Sequence, residues 1–189
     1  KDEKLLQRYL VFTYRLSMAC VQNNLKLRIV LEPSVPFDAG FAKGPEYVVM
    51  LYNLHGKHSG PGAKADRAFI EKTLAKMEAL PEKRAVALAT GGCLWQDYGL
   101  FGLKTGERSF ITEREAVTLA EQHHAVPERD EESAALHFTF EADGHETEVW
   151  YADSETLNAW ITLAANRGIS SVSIWRLGGN VSFGQIRNQ

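Results

Sequence analysis

Cysteine is scarce: Cys20 and Cys93 are the only two among 189 residues, too few for a disulfide framework or a cysteine-based zinc site. No apolar run reaches the roughly 20 residues of a membrane span, and no signal peptide opens the sequence. Neither sign of charge dominates. Twenty-one Lys+Arg against 24 Asp+Glu leave a net −3, which argues against a sequence-blind grip on nucleic acid or on anionic membranes. Internal repeats and low-complexity tracts are missing. His55 with His58, and His123 with His124, lack a third ligand at motif spacing, so they read as side chains facing solvent and no metal is expected. No cofactor is expected either. The remainder, 44% hydrophobic and 24% charged, is the composition of one ordinary domain with enough chain to bury a core unaided.

Residues 3–22 read as a helix, with Leu5, Leu6, Tyr9, Leu10, Phe12, Leu16, Ala19 and Cys20 at helical spacing. Cys20 then belongs to the core, and Cys93 reads as the more exposed of the two. Four short apolar runs read as strands: 27–31, 47–52, 84–90 and 170–175. The third is cut off by Gly91-Gly92. Helices are expected over 66–80, capped by Asp66 and stopped before Pro81, and over 154–166. Strands alternating with helices indicate right-handed βαβ units on a parallel sheet. Their near-continuous hydrophobicity fits strands covered on both faces.

A βαβ unit takes on the order of 30 residues, and the stretch from Gly92 to Ile169 is much longer. Within it Thr112 and Glu115 form a capping box ahead of a helix over 112–122. Residues 136–140 and 147–151 alternate like a hairpin turning at Asp143-Gly144. The stretch therefore reads as a small α+β insertion, with the acidic run 128–132 as its solvated loop.

Two blocks carry a family likeness. Met50-Leu51-Tyr52-Asn53 resembles the M-x-Y-D strand end of glycoside hydrolase family 18, the chitinase-like enzymes. Residues 148–154, the helix after them and 169–179, which include Trp175, resemble that family's last barrel helix and eighth strand. The resemblance implies the C-terminal half of a (β/α)8 TIM barrel, strands five to eight, carrying the insertion. Residues 1–98 would supply barrel units five to seven, 99–152 the insertion, and 153–189 the last helix and strand. A full barrel takes about 250 residues, and no D-x-x-D-x-D-x-E, the family's general-acid strand, occurs here. Lys1 stands where Met would open a gene product, so a cleaved or trimmed piece is expected.

Alternate strand residues share a face, so Val48, Met50 and Tyr52 point one way and Ser171, Ser173 and Trp175 are in phase. Tyr52 and Trp175 then stand at C-terminal strand ends, where barrel active sites form. The resemblance implies substrate-assisted hydrolysis, in which the sugar's own acetamide oxygen attacks the anomeric carbon. It assigns Tyr52 the catalytic role of orienting that acetamide and Trp175 the floor beneath the sugar, with Met50, Asn53 and Trp95 binding substrate. Asn53 departs from the family's Asp: an amide hydrogen-bonds but takes no proton. The bland alternative for the aromatics is filling of the barrel mouth.

Glu32 ends the first strand facing inward with Arg28 and Val30. It reads as an ion-pair or loop-anchoring carboxylate, or as a replacement acid. Trp95, Gln96 and Tyr98 follow the third strand and are equally suited to lining the cleft or to packing. Trp150 and Tyr151 read as ties between insertion and barrel. Gly178-Gly179 alone is a weak phosphate signal.

The expectation is a fragment of a retaining glycosidase acting on chitin- or peptidoglycan-type glycans, its acid lying outside the chain. The alternative is a non-catalytic glycan-binding or scaffold domain from the same barrel. Expected partners are an oligosaccharide or polysaccharide, and either the missing barrel half or a second copy of the chain, covering the exposed edges. Family resemblance implies an extracytoplasmic or secreted location.

Overall fold

Four parallel strands carry the first half of the chain and its end: β1 (Arg28–Leu31), β2 (Glu46–Met50), β3 (Arg84–Ala89) and β9 (Val172–Trp175), in the spatial order β1-β2-β3-β9. This computed structural model describes residues 3–97 and 106–187. Register is regular, with Val30 opposite Val48, Val48 opposite Ala85, and Ala87 opposite Ser173. Helices α1 (Glu3–Gln22), α2 (Arg67–Met77) and α4 (Ser154–Ala165) accompany this sheet.

The two faces of the sheet differ, as the strand phase requires. Tyr47, Val49, Leu51, Val86 and Leu88 join Ile70, Leu74, Leu157 and Trp160 in the main core, against the helices. Val172 and Ile174 pack against the same core. Val48, Ala85 and Ala87 form a separate small cluster on the opposite face, with Tyr52 against it. On that face Val30 is 55% exposed and Trp175 62%. Arg28 crosses it, bonding Glu46 at 2.5 Å and Ser173 Oγ at 3.2 Å.

The first helix forms where its periodicity places it, but it faces differently. Thr13 and Ser17 are its buried residues, while Phe12, Met18 and Val21 of the expected core side and its neighbourhood are exposed. Only Tyr9 and Leu10 of the apolar stripe reach the main core. Gly44 sits close to Ser17, so small side chains are what the approach of α1 to that loop admits. Cys20 is half-buried.

The long third connection folds as an antiparallel sheet, ordered β5-β4-β8-β7-β6, with helix α3 (Glu113–Gln122) on one face. Its strands are β4 (Gly91–Gln96), β5 (Arg108–Ile111), β6 (Glu128–Arg129), β7 (Leu136–Ala142) and β8 (His145–Ala152). The hairpin turn is where Asp143-Gly144 predicts it, with φ of 53° and 77° at the two residues, the signature of a type I′ turn. The third parallel strand ends at Ala89, just ahead of Gly91-Gly92 as the sequence suggested, but the pair also opens β4. A Cβ at Gly92 would lie 1.6 Å from the Trp150 carbonyl oxygen, so the glycine permits close pairing rather than breaking the chain. The antiparallel sheet thus begins inside residues 1–98, ahead of the insertion start expected at 99.

The acidic stretch 128–132 is no simple solvated loop. Arg129 in β6 forks onto Asp153, the N-cap of α4, at 2.8 and 3.2 Å, and Asp130 takes the Ser133 N–H at 2.7 Å. Trp160 of α4 donates its indole N–H to Ser133 O at 2.8 Å. These bonds, rather than Trp150 and Tyr151, tie the insertion to the helical layer. Trp150 stacks on His137 at 4.5 Å, and Tyr151 is buried in the insertion's own core. Burial, with Asp153 and Glu113 adding to it, pushes the Tyr151 hydroxyl up to about 12.

Burial alone would raise the Asp153 carboxyl, but hydrogen bonds from Arg129 and Thr156 outweigh it and hold the group below its ordinary value. A depressed carboxylate stabilises the fold above its unfolded pKa of about 3.9 and loses that contribution as pH falls through the folded value. Thermal melts should therefore show stability falling below about pH 4. Asp153→Asn should be less stable at pH 7 and flatter in that acid range; an unchanged acid slope would exclude this pair as the cause.

Candidate active site

The cleft lies at the C-terminal ends of the parallel strands. Glu32 borders it after β1, Met50, Tyr52 and Asn53 from β2 onward, Ala89 and Thr90 after β3, and Trp175 and Arg176 after β9. The insertion supplies the facing wall through Phe110, Ile111, Thr112 and Glu115. The enclosed volume is about 580 Å³, within the range of small-molecule sites.

Local backbone positions each group. Tyr52 follows β2 on the inward phase, beside Val48 and Ala87. Burial raises its hydroxyl pKa, and the neighbouring Glu32 charge raises it further, so the phenol stays protonated and able to donate at neutral pH. Asn53 turns the chain with φ 70°, a left-handed conformation that Asn tolerates better than most residues. Its exposed amide remains at the rim. Thr90 holds the end of β9: its N–H donates to Trp175 O at 2.8 Å and its hydroxyl to Arg176 O at 3.0 Å. The Trp175 ring is left largely exposed over the cleft.

Of the residues singled out from sequence, Met50, Tyr52, Asn53, Trp175 and Glu32 come together here. Trp95 does not. It is 1% exposed and donates its indole N–H to Ser59 O at 3.2 Å, pinning the loop after β2 from behind. Alternation within β4 explains this, since strand phase and not loop freedom sets its direction. Gln96 lies at the other end of the same strand, paired with Thr147, and Tyr98 lies outside the described residues. Cys93, expected to be more exposed than Cys20, is buried; burial pushes its thiol up, against the opposing charges of Lys64 and Lys57. His55 hydrogen-bonds Gly60 O at 3.2 Å, and His123 stacks on Phe140 at 4.0 Å. Among the described residues no three His, Cys, Asp or Glu side chains gather as a metal site would need.

Sequence reasoning missed the insertion's share of the cleft. Phe110 is 60% exposed and has the Lys64 ammonium 4.2 Å and the Lys57 ammonium 5.2 Å from its ring centre. Lys64 is brought there by the Leu54 N–H, which donates to its carbonyl at 2.9 Å. Only the capping box at Thr112 and Glu115 gave a signal, and it marked a helix start, not a wall. Glu115 Oε2 accepts from Thr112 N at 2.6 Å and from its hydroxyl at 2.9 Å, which lowers the carboxyl pKa.

A buried carboxylate fixes that wall. Glu113, 4% exposed, accepts from Val181 N at 2.9 Å, Ser182 N at 3.1 Å and Ser182 Oγ at 2.5 Å. Ser182 Oγ in turn accepts the Ser154 N–H at the start of α4, at 2.8 Å. The adjoining Arg114 N–H donates to Gly179 O at 2.8 Å. A Cβ on Gly179, which has φ 69°, would strike Thr112 at 2.5 Å. The glycine pair after β9 therefore serves close docking of the insertion.

No family model and no curated protein matches the sequence. Solved structures do resemble the fold. The spore cortex-lytic enzyme SleL of Bacillus megaterium superposes with a TM-score of 0.76 at 17% identity, over 93% of this chain and 43% of its own. A chitinase from Chromobacterium violaceum gives 0.75 at 20% identity, over 88% and 55%. A family 18 chitinase from Cycas revoluta, solved with (GlcNAc)3, gives 0.69 at 15% identity, over 93% and 60%. The chain thus has a chitinase-like fold, of the glycoside hydrolase family 18 type, and spans about half the length of these structures.

Glu113→Ala would leave three donors, two on half-buried Ser182 and one on exposed Val181, without their acceptor, at about 3 kcal/mol by the usual cost of charged hydrogen bonds. Urea unfolding should register that loss, together with faster amide exchange at Val181 and Ser182. Unchanged exchange at those two amides would show that the clamp does not hold the loop.

Proposed function

We propose that the chain is the C-terminal half, strands five to eight, of a (β/α)8 barrel of the family 18 type, and that its cleft binds a β-linked N-acetylated glycan of the chitin or peptidoglycan kind. The observation carrying this reading is the meeting of Tyr52 and Trp175, from β2 and β9, in one cleft at the C-terminal strand ends. Resemblance picked out those same two residues. A protonated phenol suits an acetamide oxygen, and an exposed indole suits the apolar face of a sugar ring. Met50 and Asn53 complete the sugar-facing side, and Tyr52 is the catalytic group that would orient the acetamide in substrate-assisted retaining hydrolysis.

The general acid then comes from outside these 189 residues, since no D-x-x-D-x-D-x-E is present. The uncovered inward face, with Val30 and Trp175 exposed, and the exposed apolar flank of α1 are surfaces that the other barrel half would cover. A second copy of the chain could cover them by two-fold symmetry. Unpaired strand edges and exposed apolar patches favour such closure. An extracytoplasmic setting follows from the same reading. A non-catalytic glycan-binding role is the second reading, favoured by Asn53, whose amide cannot take up a proton where the family has Asp.

Titration with an N-acetylglucosamine oligomer tests the binding site. Trp175→Ala should weaken binding about tenfold, or ~1.4 kcal/mol, whereas Trp150→Ala, whose indole N–H is spent on Glu148 at 2.6 Å, should leave affinity in place and cost stability. Equal affinities for the Trp175 variant and the parent would remove Trp175 from the site.

The isolated chain should show no turnover of the same oligomer, because a missing general acid costs about 10² to 10⁴ in rate. Measurable hydrolysis would move the acid role to Glu32.

A further inference from the structure

Lys64 is an uncommon residue for a sugar cleft. It is only 9% exposed, yet it borders the same cleft as Tyr52 and Trp175. Among the described residues it forms no ion pair with a carboxylate. Its polar and charge-directed neighbours are neutral: the Phe110 ring, 4.2 Å from the ammonium, and the buried Cys93 thiol, which hydrogen-bonds it. Taking an ammonium out of water is costly without a counter-charge, and a ring face offsets only part of that cost. Two further cations stand close: Lys57, 5.2 Å from the same ring, and Arg176 on the cleft wall.

The cleft's own carboxylates are placed elsewhere. Glu115 is held by its capping box with Thr112, and Glu32 faces Tyr52 from the end of β1. The part of the cleft around Phe110 therefore gathers Lys64 and Lys57, while the wall's one carboxylate, Glu115, is taken up by its capping box. Sugar hydroxyls and acetamides bring dipoles to such a place; a carboxylate brings the missing charge, in a medium where it counts for more than in bulk water.

We propose that Lys64 is a specificity-determining residue which selects N-acetylated glycans carrying a carboxylate substituent, of the lactyl-ether type, over neutral N-acetylglucosamine chains. This rests on the glycan reading above and narrows its substrate class to the acidic, peptidoglycan-like kind. Phe110 holds the ammonium at the cleft wall, and Lys57 and Arg176 add to the local field.

Calorimetric titration of the chain with three probes decides the matter: an N-acetylglucosamine oligomer, the disaccharide N-acetylglucosaminyl-N-acetylmuramic acid, and that disaccharide with its lactyl carboxylate methylated. The acid should bind about tenfold tighter than its ester, the gain expected of one charge-assisted hydrogen bond, and the advantage should shrink with added salt. Lys64→Met should bring the acid down to the affinity of the ester, and Lys64→Arg should keep the preference. In the unmutated chain, the Lys64 side-chain resonances should shift on adding the acid and not the ester, a readout that holds even if a variant fails to fold. Equal affinity for acid and ester, or an acid preference that survives in Lys64→Met, overturns the assignment while leaving glycan binding intact. Failure of all three probes to bind overturns the glycan reading itself and this inference with it.

Discussion

The Glu113 carboxylate is the joint on which the cleft depends. It is one buried charged group at the start of α3, and it satisfies two backbone N–H groups and a hydroxyl in the segment that follows β9. Through Ser182 the same network reaches the first N–H of α4. Three parts of the fold are thereby locked: the insertion's helix, the exit of the last parallel strand, and the helix that leads into that strand. Charge-assisted bonds from backbone donors are among the stronger ones available, and among the described residues no side-chain cation pairs with this carboxylate. Gly179 lets the contact close to van der Waals distance. The Arg114 N–H bond to Gly179 O and the pairing of Phe110 with Cys93 reinforce this joint in setting the wall's distance from Trp175.

The cleft built this way has a polarity along its length. At one end Tyr52 and Glu32 form a protonated phenol beside a carboxylate, and burial plus that charge keep the phenol protonated. At the other end Lys64 and Lys57 stand over Phe110. The parallel sheet supplies the first end and the insertion supplies much of the second, so the two are joined by docking and not by any one element. In the reading proposed above, this division lets a segment that contributes nothing to the parallel sheet add selectivity to its strand ends.

Much of the parallel layer was legible in the sequence, because short continuous apolar runs punctuated by Gly, Pro and Asn permit few other readings. The alternation of Val48, Met50 and Tyr52 against Tyr47, Val49 and Leu51 set their faces correctly. Capping signals at Asp66 and Thr112 and the Asp143-Gly144 turn also formed as read. What escaped was decided by contacts between distant segments. Gly91-Gly92 looks like a breaker until Trp150 is seen against it. Trp95 looks like a loop aromatic until β4 pairs with β8 and turns it inward. Lys64 carries no motif at all; its burial comes from the Phe110 strand crossing over a loop some forty residues earlier in the chain. Helix α1 shows the same limit in reverse. Its periodicity is real, but Thr13 and Ser17 rather than Phe12 and Leu16 face the chain's own core.

The substitution of Asn at 53 gains meaning from its backbone. With φ at 70° the residue must sit in the left-handed region, which Asn and Asp both enter more readily than other side chains. Conformation alone therefore does not separate the two; chemistry does. An Asp there would add a second negative group to the end of the cleft that already has Glu32, raising the cost of holding Tyr52 and its neighbours close in a half-buried site. The amide removes that repulsion and leaves a donor and an acceptor at the rim. It also leaves Glu32 as the carboxyl beside Tyr52 among the described residues. Glu32 borders the sheet side of the cleft as an exposed carboxylate. In the reading proposed above, such a cleft orients an acetamide and binds a sugar with its own groups, and the leaving oxygen takes its proton from a carboxyl outside this chain.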